Sequence, residues 1–276
     1  MKRTTITLLF LALLVSACGT DADSDATTST TTTPPGDPGP TRVLLQIKNE
    51  GGFAPVEFVI NRPPTHTLLT DGTLIFEGPQ PGAFPGPIMP GMQQVKLTAD
   101  EMRDIQVLID ATGLPTIDEV INNDAANFVA DATSTVATYT DNGGGTHILS
   151  VYALGLEENP SDDLANLSLL VEKLSRFSFS GSAAVPYQSD SLIIRIVQGG
   201  GFGAEFNDTR PWDFTFEPHV DDANQFPCLI VEGADATAVR GLLADATQAT
   251  QWEHASGTFS VLARDLLPGE DGCDTQ

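Results

Sequence analysis

Three cysteines, four histidines and a large excess of acids are the residues with which this chain could do chemistry. The histidines, His66, His147, His219 and His254, are scattered, and no two stand at the i, i+4 spacing that puts two metal ligands on one helix face. His66 and His147 fall in corresponding hairpins and could approach one another, but a zinc site would need further ligands that the sequence does not name. Strand-face or loop positions are their plainer reading. Two acidic groups, Glu157-Glu158 with Asp162-Asp163 and Asp221-Asp222 with Asn224, offer the hard oxygen ligands that calcium prefers. Neither repeats the alternating EF-hand pattern with its central glycine and terminal glutamate, so solvated loop and helix-cap acids are the simpler account. Paired carboxylates for glycoside cleavage stand roughly 5–10 Å apart, a tertiary quantity. A sugar cleft usually brings many aromatics, whereas this chain has two Trp and three Tyr. The run Gly199-Gly200-Gly201-Phe202-Gly203 lacks the following helix that turns a glycine loop into a phosphate cradle. Nucleophile-elbow, Ser-x-x-Lys, P-loop and His-Glu-x-x-His motifs do not occur. The sequence therefore assigns no catalytic residue, no metal ligand and no cofactor.

Composition narrows the class. The 276 residues include 37 acids and 13 bases, for a formal charge of −24. Such a balance excludes a nucleic-acid binder, whose affinity comes from Lys and Arg neutralising phosphates. It also repels anionic headgroups, so any hold on a membrane must come from something other than charge.

The amino terminus supplies that hold. Met1-Lys2-Arg3 is a short cationic start, Ile6 to Val15 an apolar run far below the ~20 residues of a spanning helix, and Val15-Ser16-Ala17 small residues ending at Cys18. Val15-Ser16-Ala17-Cys18 resembles the lipobox of bacterial lipoproteins. The resemblance implies a signal peptide over 1–17, cleavage after Ala17, and a diacylglyceryl thioether on Cys18 with further acylation of the new amino terminus. A thiolate is the nucleophile suited to taking the lipid, and the acyl chains would anchor the protein at about 0.8 kcal/mol per methylene. Cleavage removes Lys2 and Arg3 but no acid, taking the charge from −24 to −26. With Cys18 lipidated, one pairing remains, Cys228 with Cys273, in an oxidising compartment where disulfides persist. Closing that loop is worth roughly 4 kcal/mol in the chain-entropy model.

The remaining elements must position whatever the chain does. Residues 18–41, rich in Thr, Pro and Asp, carry no large apolar side chain and read as a disordered tether. It would reach about 25 Å as a coil and about 70 Å fully extended. Strands are expected at Val43–Ile47 and Val56–Ile60, then a hairpin, Thr67–Phe76, turning at Asp71-Gly72 in a type I′ turn. The Pro/Gly-rich loop from Gly78 to Gly91 carries Phe84, Ile88 and Met89, either as contact anchors or folded back over a sheet. Thr98 and Glu101 form a capping box for a helix burying Met102, Ile105, Leu108 and Ile109, stopped by Gly113 and Pro115. A second hairpin joins Val136–Tyr139 to His147–Ala153 through Asp141–Gly145. A second helix entered at Ser161 or Asp162 buries Leu164, Leu167, Leu170, Val171, Leu174 and Phe177 at helical spacing. Further strands are expected at Leu192–Val197, Trp212–Phe216 and Cys228–Val231. A third helix capped by Asp235 follows, with a last hairpin, Gln251–Arg264, turning at Ser256-Gly257. The expected class is α+β, with antiparallel sheets built from hairpins, helices packed on one face, and two subdomains, 42–182 and 187–276.

Gly51-Gly52-Phe53, Thr67 to Gly72, Leu97-Thr98 with Leu108 to Leu114, Val151 to Leu154, and Cys228 through Trp252 to Gly269 are similar to blocks in secreted lipoproteins of actinobacteria. None is a functional signature. The resemblance implies one evolutionary unit located outside the cytoplasm. The expected role is a lipid-anchored envelope module that binds a wall polymer or an envelope protein without catalysis. A hydrolase of wall or extracellular polymers would instead need a concave site gathering a carboxylate pair or a His with acids. A solute-binding lipoprotein ranks third, because two-lobed βα alternation is missing.

Overall fold

A computed structural model describes residues 40–80, 82, 85–121, 124–176, 183–199, 208–220 and 226–274. Strands β1 (Val43–Gly51), β2 (His66–Leu69), β3 (Thr73–Glu77), β4 (Met92–Lys96), β5 (Glu119–Ile121), β6 (Thr133–Thr140), β7 (Thr146–Tyr152) and β8 (Val185–Pro186) form one sheet. Its order is β5-β7-β6-β1-β2-β3-β4-β8. A second sheet, ordered β10-β12-β13-β9-β11, holds β9 (Ser191–Gln198), β10 (Asp208–Pro211), β11 (Cys228–Glu232), β12 (Thr250–His254) and β13 (Gly257–Asp265). Three longer helices, α2 (Ala99–Ala111), α3 (Asp162–Ser175) and α4 (Gly233–Leu243), and a single turn, α1 (Val56–Ile60), are the α-helices described, with short 3-10 turns at Leu114–Thr116, Asp124–Asn127 and Gly272–Asp274. The class is α+β and mostly antiparallel. The expectation of wholly antiparallel sheets is corrected at two edges, where β5 pairs β7 and β10 pairs β12 in parallel.

Period-two patterning builds the first core. Leu45 faces Tyr139 and Ile47 faces Ala137 across β1 and β6; Ala137 faces Leu149, and Leu74 joins Leu68 to Val95. These side chains meet Ile105 and Ile109 of α2 and Leu164, Leu167, Leu170 and Leu174 of α3. Each large aliphatic group withdrawn from water contributes roughly 1.5–3 kcal/mol. Thr98 and Glu101 close the capping box, Ser161 caps α3, and Gly113 takes the left-handed conformation (φ 72°) at the end of α2. Phe177 lies outside the described residues. In the second core, Leu192 and Ile194 of β9, Val231 of β11, and Val261 and Ala263 of β13 receive Ala236, Val239 and Leu243 of α4. The described residues form one compact unit holding both cores.

Four local expectations are corrected. Val56–Ile60 is a helical turn, not a strand: the amide of Val59 bonds the carbonyl of Pro55, and Pro63-Pro64 beyond it carry no amide hydrogens for a ladder. The first hairpin turns through Thr70-Asp71-Gly72, with only Gly72 at positive φ (84°) and its N–H bonded to Leu69 O. That is a type I turn closed by a left-handed glycine rather than type I′. Asp235 lies inside α4, which starts at Gly233 after an extended Glu232, so its carboxylate sits in the first turn and is not the cap. Trp212–Phe216 is not a strand; the ladder runs through β10 just before it, and Trp212 Nε1 donates to Phe216 O at 2.8 Å, folding the segment on itself.

The Gly78–Gly91 loop folds back. Ile88 is buried in the second core with Met89 packed beside it, Ile88 N–H bonds Ala246 O, and Pro87 bridges Thr247. Phe84 lies outside the described residues. Beyond β13, Arg264 and Glu270 form a buried two-pronged ion pair, 2.6 and 2.8 Å, with side chains 3% and 4% exposed. Glu270 also accepts the Leu267 N–H at 2.9 Å. Cys273 then pairs with Cys228 of β11, Cα to Cα 5.7 Å, so the tail after Pro268 is tied to the second sheet.

Candidate functional site

Strand β10 and the segment after it place Arg210, Pro211, Asp213 and Phe214 beside Gly241 and Leu242 of α4, Asp245 just past it, and Trp252 of β12. These residues line an open cleft of about 280 Å³. The parallel pairing of β10 with β12 sets Arg210 opposite Trp252, and the guanidinium stands 5.7 Å from the indole centroid.

Each nitrogen of Arg210 donates to an aspartate. Its Nε donates to Asp208 Oδ2 at 2.8 Å, Nη1 to Asp245 Oδ1 at 2.6 Å, and Nη2 to the Asp245 carbonyl at 3.1 Å. Hydrogen bonds from Arg210 hold Asp208 and Asp245 below the usual carboxylate range, and the Thr250 hydroxyl assists at Asp208. The same bonds raise Arg210 itself. Both acids are therefore fixed acceptors at neutral pH, the opposite of what a general acid needs.

Aromatics gather behind the cleft. Trp212 packs edge-on against Phe214, Phe216 and Phe259 at 4.8, 5.8 and 5.8 Å, Phe214 stacks on Phe216 at 5.2 Å, and Phe214 lies 5.3 Å from Trp252. Both tryptophans of the chain are thus in one cluster. Whole-chain composition dilutes this signal, which is why the small aromatic count misleads at the sequence level. A local signal exists in Asp208-Thr209-Arg210-Pro211-Trp212-Asp213-Phe214, where charge and aromatic rings are crowded.

The residues singled out from sequence fare differently. Cys228 and Cys273 are brought together; Cys18 lies outside the described residues, as do Asp221, Asp222, Asn224 and positions 200–203. His66 and His147 do not approach, because β1 and β6 stand between β2 and β7, and three strand spacings amount to about 14 Å. His66 is buried, with Nδ1 3.2 Å from Thr65 Oγ1; burial pushes it down to about 4, and its bond to the Leu174 backbone opposes this only in part. His147 stacks on Tyr139 at 6.4 Å and lies 3.8 Å from Asp141. His254 Nδ1 accepts the Ser256 N–H, so the neutral ring carries its proton on Nε2, 3.2 Å from Glu217. Asp162 and Asp163 occupy the first turn of α3, where the helix dipole favours them, and Glu157 accepts the Gly155 N–H. Among the described residues no group of three His, Cys, Asp or Glu could hold a metal ion, and no helix is long and apolar enough to cross a membrane. No protein-family model, curated protein or solved structure matches the chain.

Proposed function

We propose that this chain is a lipid-anchored extracytoplasmic lipoprotein, held by Cys18 through the 18–41 tether, whose folded part binds an envelope polymer without cleaving it. In this reading 42–182 serves mainly as scaffold and 187–276 carries the binding cleft. The observation that carries the binding reading is the cleft at Arg210 and Trp252. It combines aromatic side chains with the Asp245 carboxylate, whose proton is held off by the Arg210 guanidinium and which can therefore accept hydrogen bonds from a ligand.

The full chain, solubilised in detergent, is incubated with insoluble wall polymer and sedimented. Retention with the pellet and no soluble fragments is expected. Release of fragments that stops in Asp245→Asn would make the protein a hydrolase, and failure to sediment would remove the binding reading. The anchor is tested separately, by whether Cys18→Ala frees the protein from membranes.

A further inference from the structure

We infer that the end of the first sheet carrying Phe53 and Phe128 is a docking knob for a folded protein that offers an apolar groove with a basic rim. It uses none of the residues of the Arg210–Trp252 cleft and goes beyond the binding reading above.

Antiparallel pairing brings three chain segments to this end of the sheet. Gly51, closing β1, faces Thr133, which opens β6, and Ser134 faces Tyr152, which closes β7. Around them the chain exposes Phe53 and Val56 after β1, Phe128 before β6 and Leu156 after β7. These are four of the ten large apolar side chains exposed among the described residues, and Phe53 is 91% exposed. A lone exposed apolar residue needs no explanation, but a group of them rimmed by polar residues marks a contact surface.

The three segments are fastened to one another. Phe53 N–H donates to Asp131 O at 3.2 Å, and Ala153 N–H donates to Thr133 O at 3.0 Å. Tyr152 Oη donates to Val129 O at 3.0 Å and accepts the Ala132 N–H at 3.1 Å, clasping the loop that carries Phe128. Gly52, at φ 87°, permits the close approach: a Cβ there would stand 2.8 Å from Thr133 Cγ2. Asp131 and Ala153, the two non-glycine residues at positive φ among those described, both sit here. Such backbone persists only where its surroundings over-determine it, and it collects at binding surfaces. The apolar groups are thus held in place before a partner arrives, which lowers the ordering cost of binding.

Shape and charge choose the occupant. Phe53 projects into solvent, so the concavity must come from the partner, which a folded protein supplies and a glycan strand or small solute does not. Segments 48–62, 124–132 and 153–158 carry six acids, Glu50, Glu57, Asp124, Asp131, Glu157 and Glu158, against Lys48 and Arg62. Lys48 is itself paired with Glu50 at 3.2 Å. An anionic lipid surface could receive the rings but repels these acids, and a second copy would set the same acids against them. A groove rimmed by Lys and Arg complements them.

The test places p-benzoylphenylalanine at position 53, 128 or 107 of the full chain and irradiates the cells that produce it. Position 107, on the outer face of α2, is the exposed comparison. One and the same protein is expected to be crosslinked from 53 and 128 and not from 107, through a peptide in which Lys or Arg flanks apolar residues. Once purified, that protein should bind the full chain in detergent with a Kd raised tenfold or more by Phe53→Ser, raised similarly between 50 and 500 mM NaCl, and unmoved by Leu169→Ser on α3. No protein crosslinked from position 53, or the same products from 53 and 107, overturns the proposal. So do products that are only lipid, glycan or a second copy, and a Kd indifferent to Phe53→Ser or to salt. Wall retention in the sedimentation assay reads the cleft and bears on neither outcome, so the two readings fail separately.

Discussion

Lowering the pH from 7 to 5 should cost this protein about 2 kcal/mol through one side chain. His66 sits on β2 under the carboxyl-terminal end of α3, 6% exposed, and burial brings it down to about 4. In the unfolded chain the same imidazole titrates near 6.5, so between 6.5 and 4 the unfolded state takes up a proton that the folded state refuses. The contribution is therefore complete above pH 6.5 and is lost as the pH falls toward 4. Integrated to pH 5 it amounts to about 2 kcal/mol, and to about 3 kcal/mol once both states are protonated. Urea unfolding at pH 7 and pH 5, followed by tryptophan fluorescence, measures it. His66→Leu will be less stable at pH 7 because it strands the Leu174 backbone group, but its loss between the two pH values should be smaller than that of the wild type by about 2 kcal/mol. Equal losses in the two proteins would refute the reasoning, as would an NMR titration placing the ring near its ordinary value.

Three further outcomes are expected. Reducing the Cys228–Cys273 bond frees a loop of 45 residues' separation and should remove about 4 kcal/mol, lowering Tm by roughly 10 °C in a calorimetric scan; an unchanged scan after complete reduction contradicts this. Glu270→Gln should leave Arg264 charged and buried at a cost of about 3–5 kcal/mol in chemical denaturation, whereas Arg103→Ala, which breaks an exposed pair with Asp100, should change stability by less than about 0.5 kcal/mol. Cys18→Ala should shift the protein from the membrane pellet to the soluble fraction, and unchanged partitioning would defeat the anchor.

Much of the scaffold is written locally. The Thr98–Glu101 box, the Ser161 cap and the Leu164 to Leu174 spacing each need only a few adjacent residues, so α2 and α3 are legible from the chain alone. The hairpins at Gly72 and Gly144 are legible for the same reason, since glycine supplies the positive φ that a turn demands. The pairing of Cys228 with Cys273 follows from counting cysteines, on the expectation that Cys18 carries the lipid. Where local signals compete, the sequence misleads: Val56–Ile60 and Trp212–Phe216 have strand-forming residues, but strands are made by partners, and the ladder beside β12 ends with the bond from Trp212 N–H to Glu253 O while Val56–Ile60 coils into a helical turn. The cleft belongs wholly to tertiary structure. Arg210, Asp245 and Trp252 are separated by up to 42 residues and meet because β10 lies parallel to β12, a long-range register that no local pattern encodes. That register decides which carboxylates Arg210 neutralises and which, at Asp213, remain open.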